Sequence, residues 1–130
     1  MSQTKSDTSV EQLRDIAVER IDDAKGRETT VNDVRGMTDI TDFMIIASGT
    51  SDRHVNAIAE RVAEGMRDVG LKPVGTEGQD DAEWIVLDYG DLVVHIMQQS
   101  VRDYYDLDGL WNEKVRKLIE QSREQKENAE

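Results

Sequence analysis

Apolar positions along the chain follow two periods, and the switches between them mark out the elements. Residues 1–8 are polar, carry no pattern and are expected to be disordered. Ser9-Val10-Glu11-Gln12 has the Ser-x-x-Gln form of a capping box, and Leu13, Ile16, Ala17, Ile21 and Ala24 follow at helical spacing. This predicts an amphipathic helix ending near Gly26. Thr29–Val34 reads as a polar, marginal strand stopped by Gly36. Phe43-Met44-Ile45-Ile46-Ala47 is a continuous apolar run bounded by Gly49, the pattern of a central strand covered on both faces. Val55, Ile58, Ala59, Val62, Met66 and Val69 then form one helical stripe, with Ser51 placed as N-cap and Gly70 placed to end it. Leu71–Val74 is a further extended piece. Strand, tight turn, helix and extended piece together suggest a crossover unit.

After a polar loop from Gly75 to Glu83, two apolar runs, Trp84–Asp88 and Leu92–Met97, flank Tyr89-Gly90 and predict an antiparallel hairpin. A short loop would set Leu87 opposite Leu92 and Ile85 opposite Val94 on one face. Trp84 would then meet His95, and Val86 would meet Val93, on the other. Both faces are apolar and both need covering, so the Trp84–His95 face, which mixes aromatic and polar tips, is the better candidate to meet a partner. Ser100–Asp103 reads as a connector. Leu107, Leu110, Trp111, Val115, Leu118 and Ile119 predict a last amphipathic helix. The expectation is one α/β domain over residues 9–119, a mixed sheet flanked by helices, and a polar tail over 120–130 trailing into solvent.

Length agrees with this, since 130 residues suit one domain with a real core. Charge changes the picture more. A formal net charge of −12 repels bare phosphate backbone, argues against direct nucleic-acid binding as the main activity, and suits either solubility or a basic protein partner. There is no cysteine, which excludes disulfides, thiolate metal sites and cysteine nucleophiles. No apolar run approaches the roughly 20 residues of a membrane span, and the first residues do not form a signal peptide, so the chain reads as cytoplasmic.

Candidate chemistry is thin. Gly49-Thr50-Ser51 at a strand-to-helix turn could bind an anion through helix amides, but it lacks the second Gly and the Lys of a phosphate loop, and an N-cap with a tight turn is the plainer reading. His54 and His95 lie in no metal-ligand spacing; His95 suits a core or interface position and His54 a helix-end contact. Asp88 and Asp91 could hold a divalent metal, yet they bracket a turn where Asp is favoured anyway. No Ser–His–Asp order stands out. No catalytic residue, cofactor or metal is assigned. The aromatics are more informative: of only six, Trp84, Tyr104, Tyr105 and Trp111 lie in or near the hairpin and its exit. Trp111 is placed in the core, with Trp84 and Tyr105 at or near a contact surface.

Several segments, in order, resemble the ribosomal silencing factor (RsfS, or Iojap) family. They are Ile40-Thr41-Asp42-Phe43-Met44, Gly49 through Val55, Glu77-Gly78, Trp84 through Asp88, Gly90 through Met97, and Tyr105-Asp106-Leu107 through Leu110-Trp111, spanning roughly residues 9–119. The resemblance implies a fold related to the nucleotidyltransferases without their catalytic carboxylates, and therefore a non-enzyme. It implies binding to the large ribosomal subunit through its ribosomal protein fourteen, blocking the small subunit and repressing translation when nutrients run short. It also implies a possible homodimer. Carried over position by position, the partner-binding surface would include Trp84, Asp88, His95, Met97, Tyr105, Asp106 and Leu107. Val31–Val34 is more polar than the family's usual first strand, and the acidic tail is extra. Two readings compete: a nucleotide-binding enzyme using Gly49–Ser51 with Asp88 or Asp91, and a homo-oligomeric scaffold whose aromatic patch pairs with itself.

Overall fold

The computed structural model describes residues 9–36, 40–105, 119–121 and 123. Local signals set the two long helices. In α1 (Val10–Asp23), Ser9 Oγ accepts the Gln12 N–H at 3.1 Å and Gln12 Oε1 accepts the Ser9 N–H at 2.9 Å, completing the capping box. Ser9→Ala is expected to lower stability by about 1 kcal/mol, read as a shifted urea midpoint with unchanged m-value. The chain leaves α1 through Lys25, at φ 65, with the Gly26 N–H closing on the Ile21 carbonyl at 2.8 Å. In α2 (Asp52–Asp68), Ser51 Oγ accepts the His54 N–H, and Gly70 ends the helix as its position predicts. The buried stripe of α2 is the predicted one, Val55, Ile58, Ala59, Val62 and Met66.

Five strands form one mixed sheet: β1 (Arg27–Asp33), β2 (Phe43–Gly49), β3 (Gly75–Glu77), β4 (Trp84–Asp88) and β5 (Leu92–Gln98), in the order β1-β2-β5-β4-β3. β2 is buried at every residue and runs parallel to β5; the other pairings are antiparallel. These pairings make β3 parallel to β2 with β5 and β4 between them. The crossover is therefore real but wide, and its second strand is Gly75–Glu77 rather than Leu71–Val74. Strand β1, polar as expected, forms an edge and carries an irregularity between Arg27 and Thr30, where Glu28 sits at φ 51.

The hairpin register differs from expectation by two residues. Leu87 faces Val94, Ile85 faces Ile96, Val86 faces His95 and Trp84 faces Met97. The reason lies in the turn. The Asp91 carbonyl accepts both the Asp42 and Phe43 N–H groups, at 3.0 and 3.1 Å, which ties it to the start of β2 rather than to Asp88. The connection lengthens accordingly. A slip of two keeps every side chain on its predicted face, because side chains alternate with a period of two.

One face carries Phe43, Ile45, Ala47, Ile85, Leu87, Leu92, Val94 and Ile96 and packs beneath α1 and α2. The second carries Met44, Ile46, Val86, Val93 and Met97, and these are buried too, with Ile119 among them and Ile40, Trp84 and Val101 partly buried against them. The stretch read as a connector is instead a short helix, α3 (Gln99–Tyr105), which packs on β5 and β2. Most of the predicted last helix and residues 1–8 lie outside the described residues; Ile119 is helical and fully buried. No helix among the described residues is long and apolar enough to cross a membrane.

Candidate functional site

The second sheet face gathers the sequence-nominated residues because β4 and β5 place alternate side chains there. Trp84, half-buried at the start of β4, donates its indole N–H to His95 Nδ1 at 3.0 Å, with the rings 5.9 Å apart. An indole nitrogen can only donate. The neutral imidazole therefore carries its proton on Nε2, which is buried and has no hydrogen-bond partner. Burial pushes the His95 pKa down from 6.5 to about 4. Met97 lies directly across from Trp84, so Trp84, His95 and Met97 form one contiguous group.

Asp88, at the far end of β4, is fully buried. One of its oxygens accepts the Gly90 N–H at 2.8 Å, which is the turn chemistry that its position suggests. Arg123 grips the same carboxylate as a fork, Nε to Oδ2 at 2.7 Å and Nη2 to Oδ1 at 3.1 Å, and Nη2 also reaches the carbonyls of Gly90 and Ile40. This contact differs from the expected solvent-borne tail. An arginine 35 positions away in a polar stretch has no local periodicity to reveal its partner.

Of the seven nominated residues, Trp84, Asp88, His95 and Met97 thus share one sheet face, but only Trp84 is partly exposed. Tyr105 closes α3, and Asp106 and Leu107 lie outside the described residues. The expectation that this face stands partly open is corrected for its centre: α3 and Ile119 lie against it. Arg102 on α3 is buried against it with its guanidinium donating to Ser48 Oγ at 2.8 Å, while Tyr104 on the same helix is 80% exposed.

The competing site at the turn between β2 and α2 is already used. The Thr50 N–H donates to His54 Nδ1 at 2.9 Å, and the His54 amide is taken by Ser51. His54 Nε2 in turn donates to the Ala24 carbonyl at 2.8 Å. His54 is therefore a clamp joining the end of α1 to the start of α2, as a helix-end contact would be, and it draws one turn amide away from any anion. Asp88 and Asp91 do not converge with other ligands: among the described residues no group of three or more His, Asp or Glu side chains could hold a metal ion.

Comparison with known proteins agrees with the resemblance. The family model described as "Ribosomal silencing factor during starvation" matches residues 7–130. A ribosomal silencing factor of Haemophilus influenzae is 42% identical over 99 residues, covering 76% of this chain and 97% of that one. A mouse protein named "Mitochondrial assembly of ribosomal large subunit protein 1" is 30% identical over 75% of this chain and 44% of its own length. A crystal structure from Chromobacterium violaceum superposes with a TM-score of 0.77 at 38% identity, covering 79% of this chain and 86% of that one.

Proposed function

The chain belongs to the ribosomal silencing factor family, and on that premise we propose that it docks on the large ribosomal subunit through ribosomal protein fourteen. By occupying that surface it keeps the small subunit from joining and represses translation under nutrient limitation. The docking site takes in the second sheet face, where Trp84, Asp88, His95 and Met97 lie, and the proposed contact set extends to Tyr105, Asp106 and Leu107. The observation that carries this is the convergence of Trp84, His95 and Met97 on one face, against which α3, with its exposed Tyr104, packs. Aromatic side chains next to an apolar centre are the composition of protein-binding hot spots. The net charge of −12 complements a basic ribosomal protein and would steer the encounter. Steric exclusion asks for no reacting groups.

Trp84→Ala tests the reading. Affinity for purified large subunits is expected to fall about 30-fold, the scale of a hot spot of about 2 kcal/mol, in a variant that still shows the native circular dichroism spectrum. Sucrose-gradient co-sedimentation with large subunits, with and without small subunits, reads it directly. Wild type should travel with large subunits and reduce joined ribosomes. Equal binding by the folded variant would remove Trp84 from the site. A wild type that stays at the top at low salt would overturn docking altogether.

A further inference from the structure

The proposed docking face is occupied in part by Ile119 and Arg123 from the chain's own C-terminal segment, and the manner of occupation is specific. Ile119 is completely buried in the apolar cluster formed by Met44, Ile46, Val86, Val93 and Met97. One helical turn on, Arg123 engages the Asp88 carboxylate with two nitrogens and reaches two carbonyls beside it. An apolar side chain at the centre and a guanidinium fork on a carboxylate at the edge are also what a basic protein partner would bring.

The same face also carries polar atoms that nothing answers. Five buried side-chain polar atoms among the described residues lack a hydrogen-bond partner, and four of them belong to this face. They are Thr30 Oγ1, Asn32 Nδ2, Glu77 Oε2 and His95 Nε2; the register pairs Thr30 with Ile46, Asn32 with Met44, and Val86 with both Glu77 and His95. Directly opposed residues share a face. These four atoms are shut away from water without a partner, a standing cost that an occupant offering them hydrogen bonds would relieve. Arg123 is held at the rim, a third of its side chain still exposed, so it is the accessible end of the contact.

We infer that the C-terminal segment is a self-occupant of the docking face that mimics the partner: Ile119 fills the apolar centre, Arg123 holds Asp88, and a basic side chain of the ribosomal partner replaces Arg123 when the segment is displaced. This rests on the docking reading above. It assigns Asp88 the role of receptor for a cation, supplied in cis before docking and in trans after it. The fraction of molecules with the segment displaced then scales the apparent affinity.

The test uses the full chain and purified large subunits. Ile119→Ser and Arg123→Gln each remove one anchor, and each is expected to bind large subunits about three- to tenfold more tightly than wild type, through a larger competent fraction. Because either variant could lose stability, hydrogen exchange on the wild type is measured alongside. The amides of Ile119, Glu120, Gln121 and Arg123 are expected to lose protection when large subunits saturate the chain. Wild type that binds while these amides keep or gain protection overturns the inference and leaves docking standing, as do folded variants that bind no tighter than wild type. If neither wild type nor variants bind, docking itself fails and the inference falls with it.

Discussion

Gly78→Ala is expected to lower stability by about 3 kcal/mol, among the largest effects of any single methyl group in this chain. Gly78 sits at φ +88 immediately after β3, a backbone conformation that costs other residues about 1–2 kcal/mol. A Cβ there would also be driven into the carbonyl of Trp84, and the neighbouring atoms are backbone rather than a flexible side-chain end. That carbonyl cannot retreat freely, because the residues around it are pinned. Glu83 accepts the Gln98 N–H at 2.9 Å, Ala82 donates to the Gly78 carbonyl at 3.0 Å, and Trp84 is registered against Met97. Relief would have to come from moving the start of β4, and with it the indole proposed to anchor docking. Gly90→Ala separates the two causes. Gly90 has nearly the same angle, φ +87, but open space around it, so only the conformational cost of about 1–2 kcal/mol applies. Urea unfolding of both variants decides the matter: equal losses would show that the loop after β3 yields and does not hold Trp84 in place.

Acid should loosen the same face. His95 is fully buried and its pKa lies near 4, below the ordinary 6.5, because burial disfavours the charged ring. Protonation of Nδ1 would also set one donor against another at Trp84 Nε1, ending the 3.0 Å bond. Between the two pKa values the unfolded chain binds the proton that the folded chain refuses. Stability is thus complete above about pH 6.5 and is lost progressively as pH falls to about 4. The full loss from this one group is about 3 kcal/mol, since each tenfold difference in proton affinity between the folded and unfolded chain is worth about 1.4 kcal/mol. Unfolding free energies from urea titrations at about pH 7.5 and about pH 5 should differ by about 2 kcal/mol in wild type from this source, and the difference should shrink in His95→Gln. A wild-type profile no steeper than that of His95→Gln would mean that water reaches the ring and that the face is open.

Both experiments bear on how tightly the second sheet face is closed. Docking through Trp84, Asp88, His95 and Met97 requires that three buried residues be reached. A closed face with a displaceable cover reconciles their burial with a contact role. In the proposed docking, the chain's acidity would act on approach, before the cover leaves, by drawing in a basic surface.

Some of this architecture was legible in the chain alone, wherever the deciding interactions are local. The capping box of Ser9 and Gln12, the Ser51 cap, the apolar stripe of α2 and its end at Gly70 each depend on residues within a turn or two of one another. The unbroken apolar run of β2 announced a strand covered on both sides, and alternation along β4 and β5 assigned every side chain to its face. The family was legible too, through ordered segments rather than any one motif. What only the tertiary structure decided lies at long range. The hairpin register moved because the Asp91 carbonyl is claimed by Asp42 and Phe43, about 50 positions earlier in the chain. The crossover is wide because β5 and β4 fill the gap between β2 and β3. Asp88 looked like a turn residue and is one, yet its second role depends on Arg123, and no periodicity connects an isolated arginine to a carboxylate on another element. Spacing along a chain encodes which face a residue takes; which residues cover that face is fixed only when distant segments compete to bury it.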